Sequence, residues 1–88
     1  MSINKDLILK TIDIVNKIKP IDIIEIVREG LSRKYQLIYD ELYKSYEFVC
    51  LPEKDDAWTD YYESLNELQE DFICMAVRGL FEDISISK

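Results

Sequence analysis

The stretch IDIIEIVREGLSRKYQLIYDELYKSYEFVC, residues 21–50, decides how this chain folds. Just ahead of it, Pro20 fits the first turn of a helix, where its missing N–H costs nothing. Ile23, Ile24, Val27 and Leu31 then lie on one side at helical spacing, with Asp22 and Glu25 near the positive end of the dipole. Gly30 and Ser32 read as a stop and a fresh N-cap. A single helix kinked at Gly30 is the alternative, because an interior glycine costs only about 1 kcal/mol. Over 33–49, Tyr35, Ile38, Leu42, Tyr46 and Val49 recur at core spacing, which predicts a third helix. On it, Tyr35, Tyr39, Tyr43 and Tyr46 would share an arc of about 80°. Tyrosine packs its ring and keeps its hydroxyl wet, so this edge suits the boundary between core and water. A contact patch joining two copies of the chain is the second reading of the same edge.

Upstream, NKDLILKTIDIVNKIK (4–19) opens on Asn4 as an N-cap, with Asp6 near the orphan N–H groups. Ile3 would pack on Ile8 as a staple. Leu7, Ile8, Thr11, Ile12, Ile14, Val15 and Ile18 give a broad apolar face; the short alternation in IDIV suggests a strand, but the longer helical period outweighs it. Downstream, CLPEKDD (50–56) forms the main loop. A long last helix is expected from Asp56 or Ala57 to Leu80, burying Trp58, Tyr61, Leu65, Leu68, Phe72, Met75, Ala76 and Gly79. ISISK at the end is expected to fray. The expected architecture is an all-α, four-helix up-and-down bundle forming one domain over 1–88.

Composition narrows the function. The chain has 88 residues, 48% hydrophobic and 33% charged, ordinary for a globular protein. Cys50 and Cys74 both sit among apolar neighbours and read as reduced core thiols. Asp6, Lys10 and Asp13 interrupt the first apolar segment, which argues against a signal peptide, and no run approaches the ~20 apolar residues of a membrane span. A cytoplasmic protein is expected. With no histidine, no phosphate-cradling glycine loop and no nucleophile elbow, neither catalysis, a metal nor a cofactor is expected. Net charge is −7 and unevenly spread: residues 1–44 hold eight bases and seven acids, residues 45–88 three bases and eleven acids. Such a field repels nucleic acid and membrane surfaces and attracts basic proteins.

The acidity concentrates in DDAWTDYYESLNELQEDF, residues 55–72, which carries seven carboxylates and no base. On one helix begun at Asp56, the carboxylates of Asp56, Asp60, Glu63, Glu67, Glu70 and Asp71 would share an arc of roughly 100° over about 22 Å. Tyr61 would point into the core and Tyr62 would border the acids. Repulsion among them costs roughly 1–2 kcal/mol without local compensation, which points to a surface meant for a basic partner; a merely solvated face, the usual role of a charge run, is the other reading.

The hexapeptide TDYYES (59–64) resembles the tyrosine pair, flanked by acids, of the nuclease-colicin immunity proteins, a class that also includes contact-dependent-inhibition immunity proteins. Glu63 stands where that family carries a proline, and only Tyr62 is transferable as a binding residue. The resemblance implies an inhibitor that neutralises a nuclease toxin. The expected partner surface is therefore Asp56, Asp60, Glu63, Glu67, Glu70 and Asp71 facing lysines and arginines, with Tyr62 and Trp58 as anchors. A mimic of DNA charge that blocks a DNA-binding protein, and a purely structural dimer, are the alternatives.

Overall fold

The computed structural model describes residues 4–51 and 61–87, and its architecture is α+β rather than all-α. Helix α1 (Lys5–Lys17) leads into strands β1 (Ile23–Arg28), β2 (Leu31–Asp40), β3 (Ser45–Leu51) and β4 (Tyr61–Tyr62). Helix α2 (Leu65–Val77) and strand β5 (Asp83–Ser87) follow. The strands form one antiparallel sheet in the order β4-β3-β2-β1-β5. Both helices contribute to the single apolar core built on one face of that sheet.

The four-helix bundle is therefore overturned, and the reversal lies in residues 21–50. Ile24 and Ile26 are buried while Ile23, Glu25 and Val27 face the other way, the period of two that a strand imposes. The expected helical face of Ile23, Ile24, Val27 and Leu31 is split between the two sides of the sheet. Gly30 neither stops a helix nor kinks one. Glu29 (φ 52°) and Gly30 (φ 77°) form a two-residue turn between the paired Arg28 and Leu31. Positive φ at both central residues is the type I′ geometry that matches the twist of a hairpin. The expected third helix breaks in the same way. Asp40 accepts hydrogen bonds from the Leu42 and Tyr43 N–H groups at 2.9 and 3.2 Å, closing a turn that sends the chain back as β3. Leu42, expected in the core, stands at the tip of that turn, 82% exposed. The tyrosine edge dissolves accordingly. Tyr35 is buried, Tyr39 and Tyr46 pair across the strands at 4.9 Å, and Tyr43 is exposed in the turn.

The helices keep more of their expected form. Asn4 caps α1, its side chain accepting from the Leu7 N–H at 3.1 Å, and Leu7, Thr11, Ile14, Val15 and Ile18 are buried as their spacing predicts. Buried Thr11 is satisfied by donating to the Leu7 carbonyl at 2.7 Å. The proposed Ile3 staple lies outside the described residues. In α2, Leu68, Phe72 and Ala76 are buried one turn apart, as expected, but the helix starts at Leu65 rather than near Asp56. It ends where Gly79 (φ 70°) closes a Schellman motif: the Leu80 N–H reaches the Met75 carbonyl at 3.0 Å and the Gly79 N–H that of Ala76 at 3.1 Å. Of ISISK, expected to fray, residues 84–87 instead pair with β1 as part of β5 and bury Ile84 completely, while Lys88 lies outside the described residues.

Phe72 ties the layers together. Its ring lies 5.2 Å from Phe48 on the sheet and 6.4 Å from both Tyr62 and Phe81. The Gln69 side chain donates to the Val15 carbonyl at 3.2 Å, joining the two helices. Cys50 is buried and reduced, as expected; Cys74 is also reduced but exposed, which corrects its assignment to the core.

Candidate protein-binding surface

Strand β4 is the outer strand at one side of the sheet, and it hands the chain directly to α2. Its two tyrosines necessarily face opposite ways, because successive side chains alternate along a strand. The order is the reverse of that expected. Tyr62 is only 4% exposed and Tyr61 is 71% exposed. Tyr62 donates its hydroxyl to Asp71 at 2.6 Å, so its ring and its polar group are both engaged within the fold. Tyr61 lies opposite Glu47 of β3 on the face turned away from the helices.

The carboxylates that follow divide their work. Ser64 caps α2 by accepting from the Glu67 N–H at 3.1 Å, and the Glu67 carboxylate reaches back to the Glu63 N–H at 2.8 Å. These reciprocal bonds satisfy donors that a helix start leaves orphaned, a variant of the capping box. Glu70 accepts from the Asn66 side chain at 3.3 Å, and Asp71 holds Tyr62. Part of the repulsion read from the sequence is thus compensated locally: Glu67 and Asp71 have structural work that the helical wheel did not disclose.

A single long acidic edge is not formed, because Ser64 and Glu63 precede the helix instead of continuing it. Glu67, Glu70 and Asp71 still share an arc of about 100° on α2, and Glu63 adjoins its start. Asp56, Trp58 and Asp60 lie outside the described residues. Glu63, Glu67 and Glu70 are exposed and Asp71 is half-buried. The two ion pairs among the described residues, Lys10–Asp83 at 2.8 Å and Lys17–Asp13 at 3.0 Å, involve none of these four. Tyr61 is the residue that the helical reading missed. Recognising Tyr61–Tyr62 as a strand would have put the two rings on opposite sides.

The outer face of the sheet, on which Tyr61 lies, carries apolar area of its own. Ile38, Val49 and Ile23 alternate there with Gln36 and Glu47, and none of them belongs to the buried core. Among the described residues, no group of three or more histidine, cysteine or acidic side chains is arranged to hold a metal. No helix of the described residues is long and apolar enough to cross a membrane. No family model matches this chain, and neither a curated protein nor a solved structure does.

Proposed function

We propose that this chain is an inhibitory protein-binding module of the immunity type, which neutralises a basic nuclease by covering the surface that holds nucleic acid. One observation carries the reading. Glu63, Glu67 and Glu70, with Asp71 beside them, lie together at the start of α2, Tyr61 of the adjoining strand is exposed, and no described ion pair engages the four carboxylates. Carboxylates of one sign steer a cationic partner and accept from its lysines and arginines. Tyrosine supplies rigid amphipathic contact area at the rim. In this reading Tyr61 takes the anchoring part that the sequence resemblance gives to Tyr62.

The test is inhibition. Immobilised protein should retain a basic nuclease from native lysate at low salt, and the free protein should abolish that nuclease's activity at a one-to-one ratio. The Glu63→Lys/Glu70→Lys variant should do neither at the same concentration. Retained proteins that show no nuclease activity, or activity untouched by excess protein, overturn the proposal. Release of the partner by plain duplex DNA, with inhibition extending to unrelated DNA-binding proteins, would favour the DNA-mimic alternative instead.

A further inference from the structure

The β2–β3 hairpin outruns its neighbours in the sheet. Strand β1 pairs with β2 only as far as Gln36, backbone bonds from Ile21 and Asp22 carry the contact to Leu37, and β4 pairs with β3 only at Tyr46 and Glu47. Beyond those points β2 and β3 pair with each other as far as Asp40 and Ser45, so the turn at 41–44 projects from one end of the sheet. At about 3.3 Å of rise per residue, Asp40 stands roughly 13 Å past Gln36.

Two apolar side chains at this tip contribute nothing to the core. Leu42 is 82% exposed and Tyr43 76%, the two most exposed large hydrophobic side chains among the described residues. The shape of the turn comes from its flanks instead. Asp40 accepts from the Leu42 and Tyr43 N–H groups, bonds that depend on the backbone and not on these side chains. Lys44 takes the left-handed conformation, φ 51°, as the chain reverses. Just below the turn, Tyr39 and Tyr46 pack across the strands and brace the stem. Side chains displayed on a braced turn lose little freedom when a partner covers them.

The tip also lies beside the carboxylates. Strand β4 runs antiparallel to β3 with Tyr46 opposite Tyr62, so the chain leaves Tyr62 toward the end of the sheet that carries the turn. Glu63, the Ser64 cap and the first turn of α2 with Glu67 follow directly. We infer that the hairpin tip is the apolar anchor of the same interface: Leu42 and Tyr43 enter an apolar pocket of the basic partner, whose lysines and arginines meet Glu63 and Glu67. This rests on the binding role proposed for those carboxylates and divides recognition into two parts. Exposed charges act at a distance and speed encounter, whereas burial of a tyrosine and a leucine acts only in contact and slows release. The partner that fits is a cationic protein with a concave apolar site bordered by its basic groups, rather than one with a uniformly charged surface.

Leu42→Ser/Tyr43→Ser is the test, because serine keeps the N–H groups that Asp40 accepts and neither side chain is buried. The variant should melt within about 3 °C of wild type. In binding kinetics against the nuclease that wild type retains, its on-rate should stay within about two-fold, because affinity differences within one interface fall mostly on dissociation. Its off-rate should rise at least about thirty-fold, the factor for losing one strongly buried tyrosine. Glu63→Lys/Glu70→Lys should do the reverse, slowing association more than it speeds release. A nuclease that leaves Leu42→Ser/Tyr43→Ser no faster than wild type overturns the anchor and leaves the charge reading in place. A retained basic protein without nuclease activity, released faster by the same variant, overturns the nuclease reading and leaves the anchor in place. Retention of no basic protein overturns both.

Discussion

Replacing Tyr62 with phenylalanine removes one hydroxyl and leaves the ring against Phe72 in place. That hydroxyl donates to the Asp71 carboxylate at 2.6 Å from a side chain only 4% exposed. A hydrogen bond to a charged group contributes about 1.5–3 kcal/mol. Asp71 is half-buried and regains water when the bond is lost, so the lower part of that range applies, about 1.5–2 kcal/mol. For a domain of this size, a loss near 1.5 kcal/mol lowers Tm by roughly 6–12 °C. Truncation to alanine also removes the buried ring, which costs about 3–5 kcal/mol. An 88-residue domain has only about 4–13 kcal/mol of total stability, so Tyr62→Ala should leave much of the population unfolded. Tyr61, 71% exposed, should tolerate phenylalanine within about 0.5 kcal/mol. The assay is urea and thermal denaturation followed by circular dichroism, with Tyr62→Phe/Asp71→Asn completing a double-mutant cycle. The cycle should give a coupling of at least about 0.5 kcal/mol. Equal stability of the two tyrosine-to-phenylalanine variants, or zero coupling to Asp71, would refute the assignment of Tyr62 to the fold and Tyr61 to the surface.

Three further outcomes follow from local geometry. Ser64→Ala should cost about 1 kcal/mol in denaturant unfolding, since it deprives the Glu67 N–H of its partner. Ile21 holds φ at 73° while exposed, a conformation that strains a β-branched residue, so Ile21→Gly should raise stability by about 0.5–1 kcal/mol in the same assay. Asp83 has its pKa lowered, first by the hydrogen bond from Lys10, so its contribution is present above the ordinary value of 3.8 and is lost as pH falls through the depressed one. Both partners are about half exposed, which holds that contribution below about 1 kcal/mol. Stability profiles of wild type and Asp83→Asn should therefore differ slightly at neutral pH and converge in acid.

The buried faces of both helices and the start of α1 were legible because they are written in single residues. Asn4 caps α1, and Leu68, Phe72 and Ala76 recur at one-turn spacing in α2. The sheet was not legible, for a physical reason. In β1 both faces carry aliphatic residues, so Ile23, Ile24 and Val27 fit a helical period as well as Ile24 and Ile26 fit a strand. The density of β-branched residues over 21–27 was the signal favouring a strand. The hairpin turn carries glutamate at the left-handed position before Gly30, where asparagine or aspartate would have announced it. Across β2, the turn at 41–44 and β3, the tyrosines at 35, 39, 43 and 46 mimic one helical edge, yet the chain reverses between them. The acidic cluster was visible in the sequence, but its division of labour was not. That Glu67 caps the helix and Asp71 holds Tyr62 depends on where α2 begins, and the strand at Tyr61–Tyr62 sets that start.

Association kinetics measure the acidic surface most directly. With the inhibited nuclease in hand, its on-rate to wild type should fall steeply between about 50 and 500 mM salt, as the Debye length contracts from beyond 10 Å to a few ångströms. Glu63→Lys/Glu70→Lys should flatten that dependence while leaving Tm within about 3 °C, because neither side chain is buried. An on-rate indifferent to salt, or a variant that binds as fast as wild type, would contradict recognition through these carboxylates.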